Sequence, residues 1–382
     1  MTIEKQNLKA NNKYQKSLTS IRFFAVMFIV LHHLRIAFQP SILSNSRFGN
    51  FGVIGVTFFL FLSGFVIVLN YSKFSQLKES LYFLWNRIIR IYPVHIFTFF
   101  ISLIILYVWN QPIEIPMAII NIFLVQSYSP LQKIFFSFNS VSWILSTLFF
   151  FYLIFAIANH KPKSFIWVFL ISLTSLTLSM DYIEKNQSAN GLWLLYIFPP
   201  NRLLVCLGGV GSSLLFLKFQ KSLKNSMGRT LATTLEIIAL LSIVDFIFWG
   251  NVTWLLNEML LFMTFPFAKS LNLLNKHYIA STIPVFLLLM SFGFEKGLFS
   301  RLLTKPLFVF LGELSFSIFM FHQLFFRLLK VHKQFMLTSF GEIGSITLMI
   351  ASVIPLSFLI YKFIEDPIRR KLRVNIYKTS CP

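Results

Sequence analysis

Apolar runs of membrane-spanning length recur along almost the whole chain, from Leu18 to Phe363, and no other feature limits its fold as strongly. A helix of about 20 apolar residues crosses the hydrocarbon core of a bilayer. Backbone inside that core must satisfy its own hydrogen bonds, which makes the helix the expected element. Such runs cover roughly 18 to 38, 51 to 70, 91 to 109, 141 to 159, 164 to 180, 192 to 217, 231 to 249, 252 to 268, 306 to 326 and 343 to 363. Two shorter runs, 113 to 127 and 278 to 293, have the length of re-entrant or tilted segments. The expected fold is an all-α polytopic membrane protein, a bundle of about ten or eleven transmembrane helices without a soluble domain. Charged residues make up only 12% of the 382, whereas a soluble surface needs about a quarter, so soluble, disordered and coiled-coil readings fall together. The boundaries read from the runs are a tail over 1–17, a transmembrane domain over 18–366 and a basic tail over 367–382.

The net charge of +21 comes from 34 Lys and Arg against 13 Asp and Glu. In a membrane protein this excess reflects the positive-inside bias and attraction to the anionic inner leaflet, so membrane lipids are expected partners and nucleic acid is not. Lys5, Lys9, Lys13, Lys16 and Arg22 place the N-terminus in the cytoplasm. Lys73, Lys78, Arg87 and Arg90, then Lys218, Lys221, Lys224 and Arg229, then Arg369, Arg370, Lys371 and Arg373 mark three further cytoplasmic segments. The polar, basic opening has no short apolar core and cleavage site, so no removable signal peptide is expected. Cys206 and Cys381 cannot build a disulfide framework, and no His, Cys, Asp or Glu group has metal-ligand spacing. No metal is expected.

Ionisable groups at membrane depth cost several kcal/mol unless paired or facing water, so each is a functional candidate. Arg22 and His33 are eleven residues apart in the first span. At 100° per residue they return to within about 20° of one face, separated by about 16 Å along the axis. They are expected to look into one lumen, with Arg22 at the cytoplasmic mouth and His33 near mid-membrane, while His32 points about 100° away. The plainer reading makes Arg22 an interfacial snorkelling arginine and His33 a helix-to-helix hydrogen-bonding residue. In LKESLYFLWNRIIRIYPVH, a loop or juxtamembrane helix, Arg87 and Arg90 at i and i+3 share a face. Two adjacent guanidinium forks suit a phosphate, of a lipid head group or of a nucleotide-like cofactor. His95, His322, Glu236, Asp245, Glu258 and Glu313 also lie in or near spans. Glu313 and His322 sit about 180° apart on their helix and cannot act together directly.

In this order the pieces resemble the acyltransferase-3 family of bacterial integral-membrane acyltransferases, from about Ile21 to Arg370. The family's opening Arg and His in the first span match Arg22 and His33. Its glycine-aromatic segment looks like Gly55-Val56-Thr57-Phe58-Phe59 through Ser63-Gly64-Phe65. Its R-x-x-R and following R-I-Y-P stand as Arg87, Arg90, Ile91, Tyr92 and Pro93. Ser142-Trp143-Ile144-Leu145-Ser146 with Phe151-Tyr152 resembles its S-W-x-L-S segment. Leu311-Gly312-Glu313-Leu314-Ser315-Phe316 through Phe321-His322, and Ile364-Glu365-Asp366-Pro367, resemble its two closing motifs.

The resemblance implies acetyl transfer from acetyl-CoA to a hydroxyl of a cell-envelope glycan, such as an exopolysaccharide, a capsule or a lipopolysaccharide O-antigen, or to a lipid-linked sugar. It implies a multi-pass protein of the bacterial inner membrane. His33 is then the general base with Arg22 as its catalytic companion, and Arg87 and Arg90 anchor acetyl-CoA. Substrate or oxyanion candidates are Thr57, Ser63, Trp143, Ser146, Tyr152, Glu313, Ser315 and His322. Three acidic residues common in the family are absent, at Thr57, Leu148 and Val205. Either another group, such as Glu313 or Asp245, supports His33, or activity is lost. With no domain expected after the bundle, the chain resembles the stand-alone type. The competing class is a transporter or flippase for a lipid-linked glycan, for which inverted repeats are the usual sign; none is evident here.

Overall fold

The structure is a computed structural model that describes residues 15–39, 46–71, 73–186, 190–249, 278 and 280–374. Helices account for nearly all of these residues, and no strand occurs among them. In chain order the main helices are α1 (Lys16–Phe38), α2 (Asn50–Asn70), α3 (Leu77–Val108), α4 (Ile115–Ile122), α5 (Trp143–Ala158) and α6 (Ser164–Asn186). They continue as α7 (Pro199–Ser226), α8 (Arg229–Phe248), α9 (Ala280–Phe292), α10 (Pro306–Leu329), α11 (Lys333–Ile360) and α12 (Asp366–Leu372). Eight stretches of the described residues are long and apolar enough to cross a membrane. The last of these, Pro306–Leu372, doubles back on itself. Tyr361 Oη donates to Glu313 Oε2 at 2.8 Å and Ser317 Oγ to Glu365 Oε2 at 2.6 Å, so the end of α11 lies beside the start of α10. The run at 252 to 268, with Glu258, lies outside the described residues.

Where the shorter apolar runs fall, the elements are short. α4 has 8 residues, about 12 Å of helix, too little to cross. α9 has 13, about 20 Å. The third span begins earlier than its apolar run. A capping box at Gln76 and Glu79 starts α3 at Leu77, and Pro93 lies within it. Arg87 and Arg90 are therefore fixed on a membrane helix and not on a loop.

Close crossings set the core. A Cβ on Gly64 of α2 would strike Cys206 O of α7, and one on Gly209 of α7 would strike Phe61 O of α2. The two backbones touch because neither position carries a side chain. Gly312 does the same for α10 against Thr19 of α1. That crossing brings the first and tenth helices together along their length. The start of α1 is tied down by Ser17 Oγ donating to Phe292 O at 3.0 Å and Ser20 Oγ to Leu303 O at 2.6 Å. Two sequence-flagged ionisable groups are used in this framework. Glu236, fully buried, accepts from Phe299 N at 2.9 Å at the first turn of the short helix Leu298–Leu303. His95 Nε2 donates to Asn121 O at 3.0 Å and ties α3 to α4.

Candidate active site

The starts of α1, α3 and α10, the ends of α2 and α5, and α12 share one end of the bundle. Ser80 Oγ of α3 donates to Ala156 O of α5 at 2.9 Å, and Trp85 Nε1 of α3 donates to Leu372 O of α12 at 3.0 Å. Most of the described Lys and Arg between spans lie there, so we call it the basic end.

In the half of the bundle toward this end, α1, α2, α3, α5 and α10 enclose a narrow cleft of about 90 Å³. Its polar lining is Arg22, Ser63, Arg87, Arg90, Tyr152 and Ser315. Arg87 and Arg90 are not the equivalent twin forks that their spacing suggests. Arg87 Nη2 donates to Tyr71 Oη at 3.1 Å, and its guanidinium lies 5.2, 5.3 and 5.6 Å from the ring centres of Tyr71, Phe83 and Tyr152. Arg90 makes no hydrogen bond or ion pair with a described residue and faces the cleft. The two serines have committed their protons within their own helices, Ser63 Oγ to Phe59 O at 2.9 Å and Ser315 Oγ to Gly312 O at 2.7 Å. Arg90 thus offers its guanidinium to the cleft.

The histidines lie toward the opposite end. His33 is five residues before the end of α1, about 7.5 Å along the axis. The structure pairs it with His322 of α10: His33 Nδ1 and His322 Nε2 are 3.0 Å apart. His322 Nδ1 is 3.0 Å from Ile318 O and His33 Nδ1 is 3.1 Å from Ile29 O. His322 is fully buried, whereas His33 is partly exposed. His32 does point elsewhere, its ring covering Gly52 of α2, although its ring centre stays 5.3 Å from that of His33.

The cleft that Arg22 lines does not include His33. The cleft stops at Phe59 and Phe319, whose ring centres are 6.1 Å apart. Phe319 is in turn 6.2 Å, centre to centre, from the His322 ring, so it lies between the cleft and His322 along α10. The geometric reason is the register of α10, which places Phe319 one turn before His322.

The other flagged residues scatter. Thr57 Oγ1 donates to Ser281 Oγ at 3.1 Å. Trp143 packs on Tyr196, with ring centres 5.2 Å apart, and Ser146 is buried in α5 without a hydrogen-bond partner in the described protein. Glu313 belongs to the basic end, where it accepts from Tyr361 beside the Arg369–Asp366 ion pair of 2.7 Å. Neither Glu313 nor Asp245 is the hydrogen-bond partner of His33; His322 is. The sequence reading also passed over Arg202, fully buried on α7 with its guanidinium 5.2 Å from the rings of both Tyr196 and Tyr278. An arginine three residues into a span was the signal for it. Among the described residues no group of three His, Cys, Asp or Glu could hold a metal ion.

The profile of a family described as an acyltransferase domain matches residues 15–362. A relative named Acyltransferase MdmB, from Streptomyces mycarofaciens, is 27% identical over 227 residues, which is 52% of this chain and 57% of the relative. The chain thus spans little more than half the length of that relative. No solved structure matches.

Proposed function

The chain belongs to the acyltransferase family whose profile covers 15–362, and from that premise we propose that it transfers acetyl from acetyl-CoA to a hydroxyl of a cell-envelope glycan. One observation carries the reading: Arg22, Arg87 and Arg90, from two helices, converge on one cleft at the basic end. By the positive-inside bias that end is cytoplasmic, the side on which acetyl-CoA is made. Phosphates of the donor would lie against Arg90 and Arg22, with Arg87 held in its aromatic cage behind them.

His33 would serve as general base from the other end. The acceptor hydroxyl attacks the thioester carbonyl, and its proton goes to His33 Nε2. The new C–O bond replaces the C–S bond, and the proton passes on to the departing thiolate, so ester and free CoA are the products. Proton transfer of this kind is worth about 10²- to 10⁴-fold in rate. Arg22 then belongs with donor binding more than with the oxyanion, a reading supported by its lining the same cleft as Arg87 and Arg90, which neither His33 nor His322 lines. The rings must part for the acetyl group to reach His33.

The test is direct. Membrane vesicles holding the protein should release free CoA from acetyl-CoA when envelope glycan is supplied, and the glycan should gain an acetyl-sized mass that cells lacking the gene do not show. No CoA release, together with unchanged glycan acetylation on deletion, would end the proposal.

A further inference from the structure

We infer that His322 is the positioning residue for His33, supplying with a neutral imidazole the support that a carboxylate would otherwise give. The inference rests on the acyltransfer reading above. The hydrogen bonds assign the protons. Ile318 O can only accept, so His322 Nδ1, 3.0 Å away, carries a hydrogen in the neutral ring and His322 Nε2 is a lone pair. His33 Nδ1 faces that lone pair at 3.0 Å and Ile29 O at 3.1 Å, two acceptors, so it carries the hydrogen. His33 Nε2 is left as the lone pair, which is the form a general base needs. The opposite tautomers would set lone pairs against both carbonyls.

The surroundings hold this arrangement. His322 is fully buried, with its ring centre 6.2 Å from that of Phe319 and 5.9 Å from that of Phe326. Asn139 Nδ2 donates to Met320 O at 2.7 Å and braces the helix beside it. A buried ring cannot touch a glycan, so His322 acts through His33. When the acceptor's proton reaches His33 Nε2, the bond from Nδ1 to His322 becomes charge-assisted. The Nδ1 proton can then pass to His322 Nε2, which leaves one positive charge on the pair and returns when the thiolate takes its proton. The position where the family resemblance calls for an acid is Thr57, whose hydroxyl is committed to Ser281.

Full-length protein in nanodiscs would be assayed for CoA release with His33→Ala, His322→Gln and His322→Asn. Gln reaches the position of Nε2 and keeps an acceptor for His33. Asn keeps only the shorter bond toward Ile318 O. For His322→Asn, kcat should fall about 10²-fold with the KM for acetyl-CoA changed less than about twofold, as loss of a group acting in the transition state requires. His322→Gln should recover at least about tenfold of that loss in kcat. If His33→Ala abolishes transfer while His322→Asn keeps wild-type kcat, or if Gln and Asn are equally poor, the positioning role is overturned and acyltransfer stands. If His33→Ala leaves kcat intact, the catalytic reading of His33 itself fails, and this inference with it.

Discussion

Arg87 and Arg90 stand three residues apart on one helix face, yet the structure gives them different work, and replacing each by glutamine should separate those roles. Arg90 has no hydrogen bond or ion pair among the described residues and faces the cleft. Removing it costs the protein little and the donor a charge-assisted hydrogen bond, worth about 1.5–3 kcal/mol. At 1.4 kcal/mol per decade, the KM for acetyl-CoA should rise about 10- to 100-fold with kcat and thermal midpoint unchanged. Arg87 additionally bonds Tyr71 and lies over three rings. Each cation–π contact contributes about 0.5–2 kcal/mol, so Arg87→Gln should raise the KM and also lower the melting temperature. A titration of acetyl-CoA with thiol-reagent detection of CoA gives the kinetic half, and intrinsic-fluorescence melting of the detergent-solubilised protein gives the other. An unchanged KM in Arg90→Gln would refute the placement of the donor in this cleft.

The remaining predictions concern the base, the phenylalanine layer and the crossing of α2 with α7. His33→Ala should lower kcat about 10²- to 10⁴-fold while the KM for acetyl-CoA holds, which the same CoA assay reads. Phe319→Ala should let water reach the thioester, so glycan-independent CoA release rises relative to wild type; a ratio that does not change would show that the ring seals nothing. Gly209→Val should abolish accumulation of folded protein, because its side chain would meet Phe61 backbone, and gel filtration of the purified protein should show loss of the native peak.

The bundle was legible in the sequence because membrane-depth backbone has so few options; long apolar runs at Ile21, Phe58 or Ile144 could hardly become anything but helix. The start of α3 was less plain. LKESLYFLWNR carries too many polar residues for a hydropathy argument, and the capping box at Gln76 and Glu79 was the overlooked sign. The residues of the cleft were legible one by one, through charge and motif, but their grouping was not. Spacing relates positions within one helix only. It tested His322 against Glu313 on the same helix and could not show that Gly312, by letting α10 lie against Thr19, carries His322 to His33 on another. The same limit hid the Phe59–Phe319 contact, whose partners are 260 residues apart in sequence.

That contact changes how a membrane enzyme of this kind must operate. A bundle with cations near one face and a base near the other would, if open between them, offer water and protons a polar path along its axis. Apolar rings such as those of Phe59 and Phe319 would oppose such a path, because a constriction without hydrogen-bonding partners is costly to hydrate. On the proposed reading the donor's own acyl arm is what displaces them, so the thioester meets His33 only when the cleft behind is filled by the donor. Bulk water is then excluded when the carbonyl becomes reactive, and the hydroxyl presented from the opposite mouth is the nucleophile left to compete.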